Sequence, residues 1–180
     1  QYNRSPLGID TSLLGLSATQ RRQVESYRDL LRKNKESALQ RSMRDRGSDE
    51  EFREALRRGE PLTESQIDRM VKGYKATLLQ HRAMVIAQTE SVRVIHESIE
   101  DLVFQLSSTG LLDIDRVERT WITARDERVR ASHTPLHGRT VPQGVAFISG
   151  AGVPLRYPGD PSAPLAEVIN CRCILIARLV

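Results

Sequence analysis

The side chains best suited to chemistry lie in the last third of the chain: His133, His137, Cys171 and Cys173. Neutral imidazole and thiolate are the donors Zn²⁺ prefers, in tetrahedral sets of four. The spacing sets conditions on such a site. Pro135 stands between the two histidines and opposes a regular helical turn that would bring them onto one face. The Cys-x-Cys gap is tighter than usual and is read as sending the thiols to opposite faces of a strand, so a bend at Asn170-Cys171 is expected to bring them together. A structural zinc would take His133, Cys171 and Cys173, with His137 or Asp126 as fourth ligand. Two other readings stand beside it. Cys171 and Cys173 serve as small buried apolar groups while His133 bonds loop carbonyls, or the two cysteines form a strained disulfide, unexpected in a reducing compartment.

Asp126, Glu127 and His133 also offer a carboxylate–imidazole set for acid–base work in a hydrolase or nuclease. Nothing around them resembles a nucleophile elbow or a two-metal carboxylate cluster. The structural reading is that Asp126 accepts loop amides or pairs with Arg128 or Arg130, pinning a loop that has little secondary structure of its own. Glu90, inside a helical stretch, has Arg125 or Arg130 as expected partners, or else stays exposed. Pro158-Gly159-Asp160-Pro161 reads as a rigid turn and Trp121 as a core anchor. The sequence has no Gly-rich phosphate loop and no dinucleotide fingerprint.

The elements that must position these groups are helices first and a small sheet afterwards. Ser17 is placed to cap a helix running to about Asp45, with Val24, Tyr27, Leu30, Leu31 and Ala38 as a sparse apolar stripe. Residues 1–17 read as an extended arm. Ser48-Asp49-Glu50-Glu51 has the spacing of a capping box for a short helix that Gly59 ends, and Thr63-Glu64-Ser65-Gln66 repeats it for the next. From Thr63 the apolar period is helical as far as Leu106, with a break expected at Gly73 or at Gln80-His81-Arg82. Strands are expected around Val117–Thr123, Val145–Ile148 and Cys173–Val180, with residues 126–141 as loop. The class is α+β: long N-terminal helices, then a small antiparallel sheet with long ordered loops.

Composition narrows the function classes. The 180 residues are 39% hydrophobic but only 4% aromatic, and the net charge is +4. Residues 20–46 hold nine Arg or Lys against four acids, a local excess of five positive charges. Arg21, Arg22, Arg32 and Lys33 are therefore candidate contacts to a polyanion or an acidic protein face. The alternative is a solvated helix face, since no groove-reading motif accompanies the charge. No apolar run reaches membrane-spanning length and no signal peptide is visible. The two cysteines suit a reducing cytosol, and the start at Gln1 suggests a fragment or processed chain.

A family resemblance covers roughly residues 80–178. Trp121, Arg125-Asp126, Val129-Arg130, His133, Leu136, Gly138, Val141, Phe147, Pro158-Gly159-Asp160-Pro161, Glu167 and Asn170-Cys171-Arg172-Cys173 occur in the order found in the phage head morphogenesis domain. That family comprises minor head proteins similar to protein F of phage Mu. Upstream, Ala87-Gln88-Thr89-Glu90 resembles the family's Ala-Arg-Thr-Glu, with Gln88 in place of the usual Arg. The resemblance implies a low-copy, non-enzymatic virion component inside the head near the portal protein, acting in head assembly and DNA packaging or delivery. It marks Glu90, Trp121, Asp126, Arg130, Asp160 and Asn170 as signature positions. The expected division of the chain is an N-terminal arm and basic helical region, 1–62, and the head morphogenesis domain, 63–180. The rival classes are a metal-dependent hydrolase or nuclease using His133 and Asp126, the carrier half of a toxin, and a DNA-binding module working outside virions.

Overall fold

A computed structural model describes residues 15–180; the expected N-terminal arm lies almost wholly outside them. The chain forms two compact units, Gln1–Met84 and Val85–Val180. The division therefore falls inside the long helix, not at the expected 62/63 boundary. The reason is that Ile67, Met70, Val71, Tyr74 and Leu78, from the first part of that helix, complete the core of the first unit.

The first unit opens with α1, Ala18–Arg32. Ser17 and Gln20 form a reciprocal capping box at its start. The helix stops well short of Asp45 because Asn34 adopts a left-handed conformation (φ 51°). Lys35 N–H then bonds Leu30 O and Asn34 N–H bonds Leu31 O, the paired bonds of a Schellman motif. Asn tolerates this conformation through its short polar side chain, a stop signal that the expected run to about Asp45 did not include. A short 3₁₀ segment, Glu36–Gln40, follows.

α2, Asp49–Arg58, has the expected bounds and ends on Gly59 at φ 68°. Its expected capping box does not form, because Ser48 makes no side-chain cap bond. The chain enters instead through a 3₁₀ turn in which the Asp45 carboxylate accepts Gly47 N–H, and Asp49 is taken by Arg44 at 2.7 Å. α1 contributes Val24, Tyr27 and Leu31 to the first core and α2 contributes Phe52, with the Tyr27 and Tyr74 rings 4.6 Å apart.

α3 runs from Glu64 to Ser108 without the expected break. Its start has the reciprocal Thr63–Gln66 cap. Gly73 serves a different purpose from a hinge: a Cβ there would stand 3.0 Å from Asp45 Cβ, so the glycine lets that turn close on the helix. At the far end Leu111 N–H bonds Leu106 O, and Gly110 sits at φ 73°.

The second unit combines residues 85–108 of α3 with two small sheets. β1, Val117–Ile122, is central between β2, Thr140–Pro142, and β5, Ile174–Leu179, both antiparallel to it. β3, Phe147–Ile148, and β4, Pro154–Leu155, form a separate antiparallel pair. The α+β class is therefore as expected, but residues 126–141 are not all loop, since they hold a 3₁₀ turn at Thr134–Leu136 and most of β2. A four-residue helix, α4, spans Leu165–Val168. β1 buries alternate residues, and its inward set is Val117, Arg119 and Trp121.

Candidate metal centre

The centre is built where two loops meet beside Trp121. One loop carries His133 between β1 and β2; the other carries Cys171 and Cys173 between α4 and β5. All three side chains are buried, at 2%, 1% and 3% exposure. Both thiol sulfurs lie 3.6 Å from the same nitrogen, His133 Nδ1. The three donor atoms fall within 4.8 Å of one another, and theirs is the group of potential ligands that meets this test among the described residues.

Local backbone explains how a Cys-x-Cys pair converges. Asn170 is left-handed (φ 58°), which supplies the bend expected before Cys171. The expectation that the thiols face opposite ways was wrong in its geometry. Cys171–Cys173 leads directly into β5 with alternating burial, and in a strand residues two apart share a side. The two thiols therefore turn in together, while Arg172 between them turns out and clamps Asp126 at 2.7 and 2.5 Å. Both cysteines are free thiols, so the strained disulfide is not formed.

Neither expected fourth ligand reaches the cluster. Asp126 is held by Arg172, whose hydrogen bonds lower its carboxyl's pKa, and it accepts Arg128 N–H, as expected of a loop pin. Its partner is Arg172, however, and neither Arg128 nor Arg130 pairs with it through its side chain. His137 Nδ1 accepts Thr123 N–H at 3.0 Å, and Arg125 Nε approaches its other nitrogen at 2.7 Å. Pro135 lies in a 3₁₀ turn, Thr134–Leu136, between the two histidines.

The surroundings of His133 select its chemistry. Glu167 Oε2 stands 2.8 Å from Nε2, off the ideal hydrogen-bond line. A carboxylate there favours a proton on Nε2 and leaves the Nδ1 lone pair directed at the sulfurs. Glu167 is itself fixed by Ser132 Oγ at 2.9 Å. The Trp121 ring meets the His133 ring edge-on at 5.4 Å, and its buried indole N–H lacks a hydrogen-bond partner among the described residues. The hydrogen bond from Cys173 and the neighbouring His133 lower the Cys171 thiol well below the ordinary range, against burial. Sharing that charge, together with burial, pushes Cys173 up.

α3 presents a polar stripe to these loops. Thr89 Oγ1 accepts Asn170 N–H at 2.9 Å and donates to Val85 O. Gln88 Nε2 reaches Cys171 O at 3.5 Å, so the residue that departs from the family pattern still touches the cysteine segment. Glu90 does not meet Arg125 or Arg130: it is exposed, with only Arg93 at 3.4 Å. Arg130 instead donates to Ile169 O, bracing the same cysteine segment from the His133 loop. In the Pro158–Pro161 turn, Asp160 is 1% exposed. Burial alone would raise its carboxyl, but hydrogen bonds from Arg156 and Ser162 outweigh this and hold it at about 2. Gly159 (φ 87°) lies where a Cβ would meet the Arg93 backbone at 3.1 Å, so the turn packs directly on α3.

His96 was not singled out by sequence reasoning, although it falls seven residues after Thr89 on the same helical face. Its Nδ1 bonds Pro158 O and its Nε2 accepts Leu175 N–H, both at 3.0 Å. That arrangement needs a neutral ring protonated on Nδ1. Burial lowers its pKa from the usual value of 6.5. The unfolded chain therefore takes up a proton near 6.5 that the folded chain refuses. This contribution to stability is complete above that pH and is lost as pH falls through the lower, folded value. Urea midpoints measured at decreasing pH below 7 should fall for the native chain and change less for His96→Gln. Parallel curves would show that His96 is not the titrating group.

Comparison with protein-family models, with curated proteins and with solved structures found no match.

Proposed function

We propose that this chain is a minor head protein of a tailed phage, present at low copy inside the head near the portal and acting in assembly and DNA packaging or delivery. The proposal rests on the resemblance described above, and one observation supports it. Several of the motif positions, drawn from more than 80 residues of sequence, lie around the cysteine segment. Thr89 bonds Asn170, Trp121 packs on His133, and His133 faces Glu167, Cys171 and Cys173.

The basic helix is the candidate contact to portal or packaged DNA. Arg21, Arg22, Arg32 and Lys33 are all exposed on or just after α1. Arg32 is already paired with Glu64 at 2.9 Å, and Arg28 with Asp68 at 2.6 Å, so α3 neutralises part of the local excess. Arg21, Arg22 and Lys33 form no ion pair among the described residues and carry most of the expectation. Neutralising all four should weaken DNA or portal retention and flatten its salt dependence; unchanged retention would remove this helix from the interface. The alternative, a hydrolase or nuclease using His133 and Asp126, would need Asp126 released from Arg172.

Peptide mass spectrometry on purified particles tests the reading, comparing DNA-filled heads with empty precursor shells. A low copy number relative to the major capsid protein in both is the expected result. Absence from both overturns it.

A further inference from the structure

We infer that His133 Nδ1 and the thiolates of Cys171 and Cys173 bind one zinc ion, and that the fourth coordination position is filled by water or a small anion and not by a protein side chain. The inference stands on the second unit alone and does not depend on the head-protein reading.

The geometry is that of a ligand set around a cation. With Zn–S of about 2.3 Å and Zn–N of about 2.05 Å, a tetrahedral ion places sulfur and nitrogen about 3.6 Å apart. Both sulfurs lie at that distance from His133 Nδ1. Hydrogen bonding explains the arrangement less well: the nitrogen has a single in-plane lone pair and cannot take two thiol hydrogens along its direction. A cation placed between the three atoms satisfies all of them at once. The outer contacts fit as well. Glu167 lies at the far nitrogen of the ring, where a carboxylate orients a metal-bound histidine. The unpartnered Trp121 N–H is buried beside Cys173, where thiolate charge would attract it.

Charge and donor type select the metal. Two thiolates balance a divalent cation, so the buried assembly is neutral before Glu167 is counted. Sulfur with imidazole nitrogen in tetrahedral array favours zinc over the oxygen-seeking cations. Binding releases the remaining thiol protons to solvent.

The open position follows from what is absent near the three ligands and from the space beside them. No fourth His, Cys, Asp or Glu joins the cluster among the described residues. A cavity of about 10 Å³ adjoins it, walled by Ala124, Val129, Arg130 and the three ligands. By this measure it has on the order of one water molecule's room. Arg130 at its wall favours an anionic occupant.

The test uses the full chain, purified under reducing conditions, stripped with a chelator and titrated with Co²⁺ and then Zn²⁺. One equivalent of Co²⁺ should give thiolate charge-transfer bands and the intense visible bands of tetrahedral cobalt, and one equivalent of Zn²⁺ should bleach them. Cys171→Ser and Cys173→Ser should each abolish the charge-transfer intensity or reduce it by about half. Glu167→Gln should weaken zinc on the order of tenfold to a hundredfold while leaving the spectrum tetrahedral. Added azide should shift the visible bands. Zinc should also slow alkylation of both thiols in the unsubstituted chain, a readout that needs no variant to fold. Failure to bind at one equivalent, or alkylation indifferent to zinc, overturns the site. Bands indifferent to azide overturn the open fourth position.

Discussion

Arg119→Met is expected to destabilise the second unit by about 3–5 kcal/mol, the usual result of removing one partner from a buried ionic cluster. Arg119 is 1% exposed, on the inward face of β1. Its guanidinium bonds Glu100 Oε1 at 2.9 Å, Arg156 O at 2.8 Å and Val145 O, and lies over the Phe147 ring. Met fills much of the volume but serves none of the three acceptors. Glu100 keeps the Gln143 amide at 2.8 Å, so the greater loss falls on the two carbonyls, which lose their guanidinium donor. Arg119→Lys should recover only part of the stability, because a single ammonium cannot spread across three acceptors as a planar fork does. Denaturant midpoints measure both. A loss below about 1 kcal/mol for Met would mean that water reaches the carbonyls and that the cluster does not hold the β3–β4 loops to the sheet.

The second large effect is expected at Trp121, which is fully buried and pairs with Leu175 across β1 and β5. Its ring packs edge-on against His133 at 5.4 Å and Phe147 at 5.3 Å. Trp121→Ala should cost about 3–5 kcal/mol through lost burial and the cavity left behind. It should also loosen His133, because the ring that fixes the imidazole would be gone. Trp121→Phe keeps an aromatic wall and should cost less. The chain's only tryptophan is removed in both, so far-ultraviolet circular dichroism must follow unfolding in place of fluorescence. A cost near zero for Ala would show that the sheet and loops collapse onto the space, and that Trp121 is not the anchor of the cluster.

The elements were legible in the sequence where a local signal decides them. Ser17 and Thr63–Gln66 supply the caps expected of them, and Gly59 stops α2. These outcomes depend on backbone donors within one turn of the residue that satisfies them. Signals open to tertiary competition failed. Asp49 was taken by Arg44 and Ser48 makes no cap, Gly73 became a packing site for Asp45, and Asn34 ended α1 early.

The candidate centre divides along the same line. By itself the sequence determined which atoms are capable of binding a soft cation, since His133, Cys171 and Cys173 are the residue types for it. Only the tertiary structure decided which of the candidates meet. His137 and Asp126 lie only four and seven residues from His133, yet Thr123 and Arg125 hold the first and Arg172 holds the second. Glu167, His96 and Arg119 acquire their partners across separations of 19 to 79 residues. A polar side chain's partner is set by which donors and acceptors burial strands beside it, and that is known only once the chain has folded.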